Sequence, residues 1–351
     1  MNKKIRIGFV GVGNMGQAAH LRNYAMVTGC EVVALAEVKQ ELARKVATKW
    51  GIPKVYATHE EMLAKEQLDG IVASQPFTRH GTLIPELLKA GKPVFTEKPI
   101  AGAVEMGEKI VAATKANNTW MMIGYHKRSD PATMFAKAEI DRLKQTGELG
   151  KLTYIRILMP AGDWIGNGFN QNIRTEEPVP QLPSDPPPSG MDKETSTAYG
   201  GFVNYYIHQV NLMRHLLGES WQVTYADKAG VLLAGESASG VTCSIEMSPY
   251  QTTIDWQESA LVCFQKGWVK LELPCPLAFT RPGKVEIFRD PNKETTPKTE
   301  IPQLPWVHAM WQQATNFVDA LAGKRPTMCS AEDALADIQL AREYIRLKLG
   351  K

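Results

Sequence analysis

One stretch, Ile5-Arg6-Ile7-Gly8-Phe9-Val10-Gly11-Val12-Gly13-Asn14-Met15-Gly16, constrains the fold of this chain more than any other. A short apolar run ending in Gly-x-Gly-x-x-Gly reads as a strand turning sharply into a helix. Gly11 permits the tight turn, Gly13 lets the backbone approach a pyrophosphate, and Gly16 lets the helix pack on its sheet. Phosphates then meet free N–H groups at a helix N-terminus, with Asn14 and Met15 in the same turn. Glycines punctuate many turns, so the fingerprint alone is weak. Here it follows a strand, opens a helix-patterned segment, and precedes an acid, Glu37, at about the 20-residue offset that ribose recognition requires. Taken alone, Glu37 is a solvated glutamate closing the strand-like run 31–36. Taken with the glycines, it marks a dinucleotide site.

At 351 residues the chain has room for two domains and a substantial core. A net charge of +3 gives no reason to expect nucleic acid or an anionic membrane as partner. Cys30, Cys243, Cys263, Cys275 and Cys329 form no Cys-x-x-Cys pair and are odd in number, which fits reduced thiols better than disulfides or a zinc site. Met1-Asn2-Lys3-Lys4 followed by an apolar run superficially resembles a signal peptide. That run is short and glycine-broken, and it already belongs to the fingerprint. No stretch is long enough to cross a bilayer. A cytoplasmic protein is expected.

The first third alternates short apolar runs with helical patterns, the signature of a parallel sheet with crossover helices. Helices are predicted at 40–50, 79–90 and 104–117, and strands at 69–73, 93–96 and 120–125. Thr58 and Glu61 form a capping box for a short helix. A doubly wound domain is expected over 1–125, followed by an α/β domain over 126–351. In the latter, Asp130-Pro131 starts a helix to about 146, and 152–158 alternates as a strand. Residues 160–198 are proline-rich and aperiodic, a loop long enough to be mobile or functional. A helix at 204–217 precedes strand-like runs at 221–226, 230–233, 241–247, 259–265, 268–273 and 284–289. With few helices between them, they predict a large, mostly antiparallel sheet. Helical patterns at 307–322 and 331–349 close the chain.

Ligands in open α/β sheets bind beyond the carboxyl ends of the strands. Ser74-Gln75-Pro76, Thr96-Glu97-Lys98-Pro99 and Gly124-Tyr125-His126 end there. A lysine beside a nicotinamide ring and partly desolvated can exchange a proton with a substrate hydroxyl. Pro99 forces Lys98 out of helical geometry and presents it at the strand end. A surface lysine near a turn is the plainer reading of Lys98. On the 204–217 helix, Asn204, His208, Asn211 and His215 fall on one narrow face. That face is either solvated or looks into a wet cleft. Without acidic or cysteine partners, its histidines are poor evidence for metal.

These pieces, in this order, resemble the Gfo/Idh/MocA oxidoreductase family, which includes glucose–fructose oxidoreductase and inositol dehydrogenases. The resemblance rests on the glycine fingerprint, Glu97-Lys98-Pro99 and the helix from Gly200-Gly201 to His208. It extends over Ala90-Gly91-Lys92-Pro93, Gly124-Tyr125-His126-Lys127-Arg128 and Gly147-Glu148-Leu149-Gly150, and so over nearly the whole chain. It implies a Rossmann domain with Gly11, Gly13, Asn14, Met15, Gly16, Glu37, Ser74, Gln75, Pro76, His80, Glu97 and Lys98 at the cofactor. The second domain would carry an open-faced sheet that mediates homodimer or homotetramer contacts. Lys98 then looks like the family's catalytic lysine and His208 like its substrate-hydroxyl histidine. Asn204 stands where most members have Asp, four residues before the histidine. An amide cannot take up a proton at neutral pH, so Asn204 orients while Lys98 or His208 carries the transfer. Asn211 stands where an acid is common, and Gln75 replaces a common small residue. His80 matches a recurrent histidine, structural or near the nicotinamide.

Glu37 argues for NAD over NADP, since its carboxylate accepts from ribose hydroxyls and repels a 2′-phosphate, an effect that nearby Lys39 softens. The expectation is an NAD-dependent dehydrogenase acting on a sugar, cyclitol or sugar derivative. His126, Arg128, Asp163, Trp164, Arg174, Asn204 and His208 are the candidates for substrate contact, and no metal is called for. Two other classes stay open: an NAD-dependent glycoside hydrolase working by oxidation, elimination and reduction, and a non-catalytic ligand-binding relative. Retention of Lys98 and His208 argues against the last.

Overall fold

The computed structural model describes residues 4–351, which divide into two compact units. The first comprises the chain up to Tyr125 together with Asn167–Asp192 and Met310–Ile338. Its six strands are β1 (Ile5–Val10), β2 (Cys30–Ala36), β3 (Lys54–Tyr56), β4 (Gly70–Ala73), β5 (Val94–Glu97) and β6 (Met121–Gly124). They lie in the order β3-β2-β1-β4-β5-β6, every pair parallel. The order reverses at β1, which opens a crevice at the carboxyl ends of β1 and β4. β4 and β6 are buried throughout, which is why they read as unbroken apolar runs. The helix Gln40–Trp50 stops at Gly51, held at φ +66°, and the Thr58 hydroxyl accepts the Glu61 N–H at 3.2 Å.

Two segments expected with the second domain pack in the first unit. Helix Ala309–Leu321 turns Ala314, Phe317 and Val318, spaced three and one apart, into its core. Phe317 stands against Tyr24, Phe95 and Trp120, with ring centroids 6.3, 5.7 and 5.7 Å away. The other segment is the second half of the proline-rich stretch. Residues 167–192 have no helix or strand, yet they are tied down along their length. Asn172 donates to the Asn14 carbonyl, and Gln17 exchanges two bonds with the Ile173 backbone. Asp185 accepts from the Gly81 N–H and the Thr82 hydroxyl, both at 2.8 Å. Side chains and backbone groups thus replace the periodic contacts the sequence lacks.

The second unit comprises His126–Gly166, Lys193–Ala309 and Gln339–Lys351. Its strands are β7 (Leu152–Ala161), β8 (Trp221–Ala226), β9 (Leu232–Ser237), β10 (Thr242–Gln251), β11 (Ser259–Phe264), β12 (Gly267–Glu272), β13 (Lys284–Arg289) and β14 (Lys298–Glu300). They form one sheet in the order β14-β13-β12-β11-β7-β10-β9-β8, in which only β7 and β10 pair in parallel. One face, with Ile155, Ile157, Ile245, Val262, Val269 and Ile287, is buried under helices Pro131–Thr146 and Ile207–Leu217. The other face is half-exposed; Arg156 grips Glu246 there with two bonds, and Trp268 stacks on Phe288.

The helix expected over 204–217 is two helices, Lys193–Tyr205 and Ile207–Leu217. Tyr206 interrupts them: its carbonyl accepts from Gln209 three residues on, while its hydroxyl is drawn to Ser248 on β10. Among the described residues, no helix is long and apolar enough to cross a membrane. Nor does any group of three or more His, Cys, Asp or Glu among them come together in a way that could hold a metal ion.

Candidate functional site

The fingerprint turn has the shape a pyrophosphate needs. Gly11 sits at φ +91°, and a Cβ on it would stand 2.6 Å from the Ser74 carbonyl and 2.0 Å from the Gln75 amide. A Cβ on Gly16 would stand 2.8 Å from the Gly11 carbonyl, so two of the three glycines are dictated by backbone approach. A Cβ on Gly13 would meet nothing within 4 Å, and that open space is the cradle a dinucleotide would fill. Gly16–Leu21 winds as a π-helix behind it. At the end of β2, Glu37 accepts the Val12 N–H at 2.9 Å and the Lys39 N–H at 3.0 Å. Its carboxylate therefore sits over the glycine turn, where ribose hydroxyls are read. The residues present fit a dinucleotide.

Lys98 stands at the end of β5, joined to Pro99 by a cis peptide. The preceding side chain is clamped: His20 Nε2 donates to Glu97 Oε1 at 2.5 Å, and Glu97 Oε2 accepts the Lys98 N–H at 3.2 Å. Burial pushes the Glu97 carboxyl up, but the His20 bond and the His20 and Lys98 charges outweigh it and hold it below the usual range. An anionic carboxylate thus pins the strand end from which Lys98 projects. His80 opens the helix His80–Leu88 of the first unit. It is wholly buried, with ring nitrogens 3.2, 3.1 and 3.1 Å from the Pro99, Ile100 and Gln75 carbonyls, and burial lowers its pKa. It splices the Gln75-Pro76 turn to the Pro99-Ile100 turn. Gln75 is set in turn by Arg79, whose guanidinium donates to its Oε1 at 2.7 Å and to the Pro183 carbonyl at 3.0 Å.

In the second unit, His208 is half-buried near the start of its helix, its ring edge-on to His126 with centroids 4.7 Å apart. Asn204 is exposed near the end of the preceding helix. The polar stripe is not uniformly solvated: Asn211 is buried and accepts from Arg128 Nε at 2.7 Å. Burial, with the Arg128 and Lys137 charges, drives the His215 imidazole well below its ordinary pKa. Beside this helix lies an ion pair between Lys127 and Glu258, 4% and 0% exposed. Gln209 donates to Glu258 Oε1 at 2.8 Å and Trp256 to its Oε2 at 3.2 Å, while the Lys127 ammonium lies 5.4 Å from the Trp256 ring. Nearby, burial raises the Asp130 carboxyl to about 6, against the pull of the Gly283 and Ala132 N–H groups.

Of the loop candidates, Asp163 and Trp164 lie in the second unit, where Asp163 Oδ1 shapes a turn by accepting the Ile165 and Gly166 N–H groups at 3.0 Å. Arg174 is exposed and lies in the first unit, between Ile173 and Thr175, both bonded to the nucleotide domain. Sequence reasoning missed His20 and Glu258. His20 carried a signal, a histidine on the core-facing side of the fingerprint helix. Glu258 carried none.

The strand order, the glycine turn, the acid closing β2 and the lysine closing β5 define a dinucleotide-binding protein with an appended sheet domain. Residues 5–125 match the model of the Gfo/Idh/MocA family, described as an oxidoreductase family with an NAD-binding Rossmann fold. A myo-inositol 2-dehydrogenase of Thermotoga maritima is 24% identical over 64% of this chain, and the matched stretch spans 58% of that relative's length. An inositol 2-dehydrogenase of Rhizobium meliloti is 25% identical over 97% of this chain and 96% of its own. The fold is shared with scyllo-inositol dehydrogenase of Lactobacillus casei, solved with NAD(H) and scyllo-inositol. Its TM-score is 0.69 at 19% identity, covering 98% of this chain and 97% of that one.

Proposed function

We propose that this protein is an NAD-dependent oxidoreductase that moves hydride between the nicotinamide and a hydroxyl carbon of a cyclitol, sugar or sugar derivative. The observation that carries the reading is the β5 terminus, where a part-buried Glu97–His20 pair fixes the backbone that presents Lys98 beyond a dinucleotide-shaped turn. The substrate class rests on relatives named as inositol dehydrogenases.

Bound NAD would supply the hydride acceptor. The chain's own residues would do the rest. Glu37 holds the ribose, and the open side of Gly13 admits the pyrophosphate. Lys98 Nζ takes the proton from the substrate hydroxyl as hydride leaves its carbon. His208 assists at the substrate hydroxyl, its ring steadied by His126, and Asn204 orients without accepting a proton. The half-exposed face of the eight-stranded sheet supports a homodimer or homotetramer.

The test is a panel of cyclitols, free sugars and glycosides incubated with NAD⁺, with NADH absorbance and products read in the same wells. NADH accumulating with a ketone or lactone is expected. Aglycone released without NADH build-up would replace net oxidation with redox-neutral cleavage. Lys98→Ala should lower turnover by about 10²–10⁴-fold while leaving NAD⁺ affinity unchanged. Full retained activity would remove Lys98 from the mechanism.

A further inference from the structure

The helix Gln40–Trp50 begins three residues after Glu37, and its N-terminus is already occupied by an anion of the chain's own. Glu177, 136 residues away in sequence, accepts the Glu41 N–H at 2.8 Å through one oxygen and the Leu42 N–H at 2.9 Å through the other. The Thr175 hydroxyl donates to the same carboxylate at 3.1 Å. Lys39 Nζ donates to the Thr175 carbonyl at 3.2 Å, and the Lys39 N–H binds Glu37. Two carboxylates therefore flank Lys39, one from the end of β2 and one from the 167–192 segment. The Glu41 N–H first, then the Leu42 N–H, Thr175 and the Lys39 charge, hold the Glu177 carboxyl below its usual range, so it is an anion at neutral pH.

Two free N–H groups at a helix N-terminus beside a lysine are what a phosphate monoester seeks. In a dinucleotide fold the 2′-phosphate of NADP hangs from the ribose held at the end of β2, which here is Glu37. Glu37 repels that phosphate, while Lys39 and the helix N-terminus attract it. We propose that Glu177 is a cofactor-specificity residue, an internal anion that takes the helix N-terminus and offsets Lys39, so that a 2′-phosphorylated dinucleotide is rejected by two carboxylates. This rests on the NAD-binding reading given above. It explains how a chain with a lysine two residues after its ribose acid keeps a preference for NAD. The determinant comes from a remote segment and not from the β2 loop itself.

The experiment measures the dissociation constants of NAD⁺ and NADP⁺ by calorimetry on the full chain, as wild type, Glu177→Ala and Glu177→Gln, at low salt. Thermal unfolding of each is recorded alongside. Both variants should bind NADP⁺ about tenfold or more tighter than wild type, because a like charge facing the 2′-phosphate is removed, with NAD⁺ affinity little changed. Adding Lys39→Ala to Glu177→Gln should erase the gain. If Glu177→Ala fails to fold, Glu177→Gln decides, since it keeps an acceptor oxygen for the helix and loses only the charge. Folded Glu177→Gln with unchanged affinities for both dinucleotides would reduce Glu177 to a helix cap and overturn the proposal. A wild type that binds NADP⁺ as well as NAD⁺ would overturn it too. Wild type binding neither dinucleotide would instead overturn the cofactor reading itself.

Discussion

Each of the two units carries a polar cluster, and the two are built on opposite plans. Glu97 and His20 meet at a strand terminus, and the carboxylate holds its charge because a histidine and the next peptide N–H serve it directly. Lys127 and Glu258 are withdrawn from water between a turn, a helix and a strand, and two further donors, Gln209 and Trp256, complete them. The first arrangement aims one backbone segment. The second locks three elements together, and its stability is conditional on every member being present, because a buried charge without its partner is costly.

The comparison breaks most easily at Glu258. Its replacement by Ala strands the Lys127 ammonium and should cost about 3–5 kcal/mol in chemical denaturation. Glu97→Gln, which keeps an acceptor at a strand end, should cost clearly less. Equal losses would mean the clusters do not differ in kind.

Titration sharpens the contrast. Asp130, packed near Lys127, has its carboxyl raised to about 6. Between about pH 4 and 6 the native state binds more protons than the unfolded chain, so this group makes stability fall as pH rises through that window. Glu97 acts in the other direction: its depressed value adds stability above the unfolded carboxylate pKa, and that stability is lost as pH falls below it. Asp130→Asn keeps an acceptor for the Ala132 and Gly283 N–H groups and should raise stability at pH 7 by about 2–3 kcal/mol relative to pH 4. Denaturation midpoints that shift equally at both pH values would count against the buried-carboxyl account.

The smallest stability effect belongs to Gly13. Gly13→Ala should change stability by no more than about 0.5 kcal/mol, since its Cβ enters open space, yet it should abolish NAD⁺ binding. Gly11→Ala should lose both, its positive φ and the Ser74 carbonyl leaving no room. Calorimetry and thermal unfolding on the pair separate the cradle from the scaffold.

Much of the nucleotide half was legible because its determinants are contiguous. The glycines, Glu37, the Thr58 cap and the order of the parallel strands follow from local turn chemistry and apolar runs. Lys98 was legible for the same reason, with Pro99 restricting its backbone. Glu258 was not, because its partner Lys127 lies 131 residues away and no periodicity links them. The single helix expected over 204–217 is broken at Tyr206, whose hydroxyl makes a tertiary contact with Ser248 that local propensity cannot register. The aperiodic stretch around Arg174 gave no local signal of its surroundings, because its neighbours Ile173 and Thr175 are fastened to the distant Gln17 and Lys39.

The packing of Phe317 against Tyr24, Phe95 and Trp120 has a bearing on when the protein can fold. The nucleotide sheet is synthesised by residue 125, but the side chain that closes its aromatic cluster follows nearly two hundred residues later. At ribosomal rates of about 5–20 residues per second, roughly 10–40 seconds separate the two. Throughout that interval the nascent sheet carries an apolar surface with its lid still unmade, and a chaperone or the ribosome surface is the natural place for it to wait.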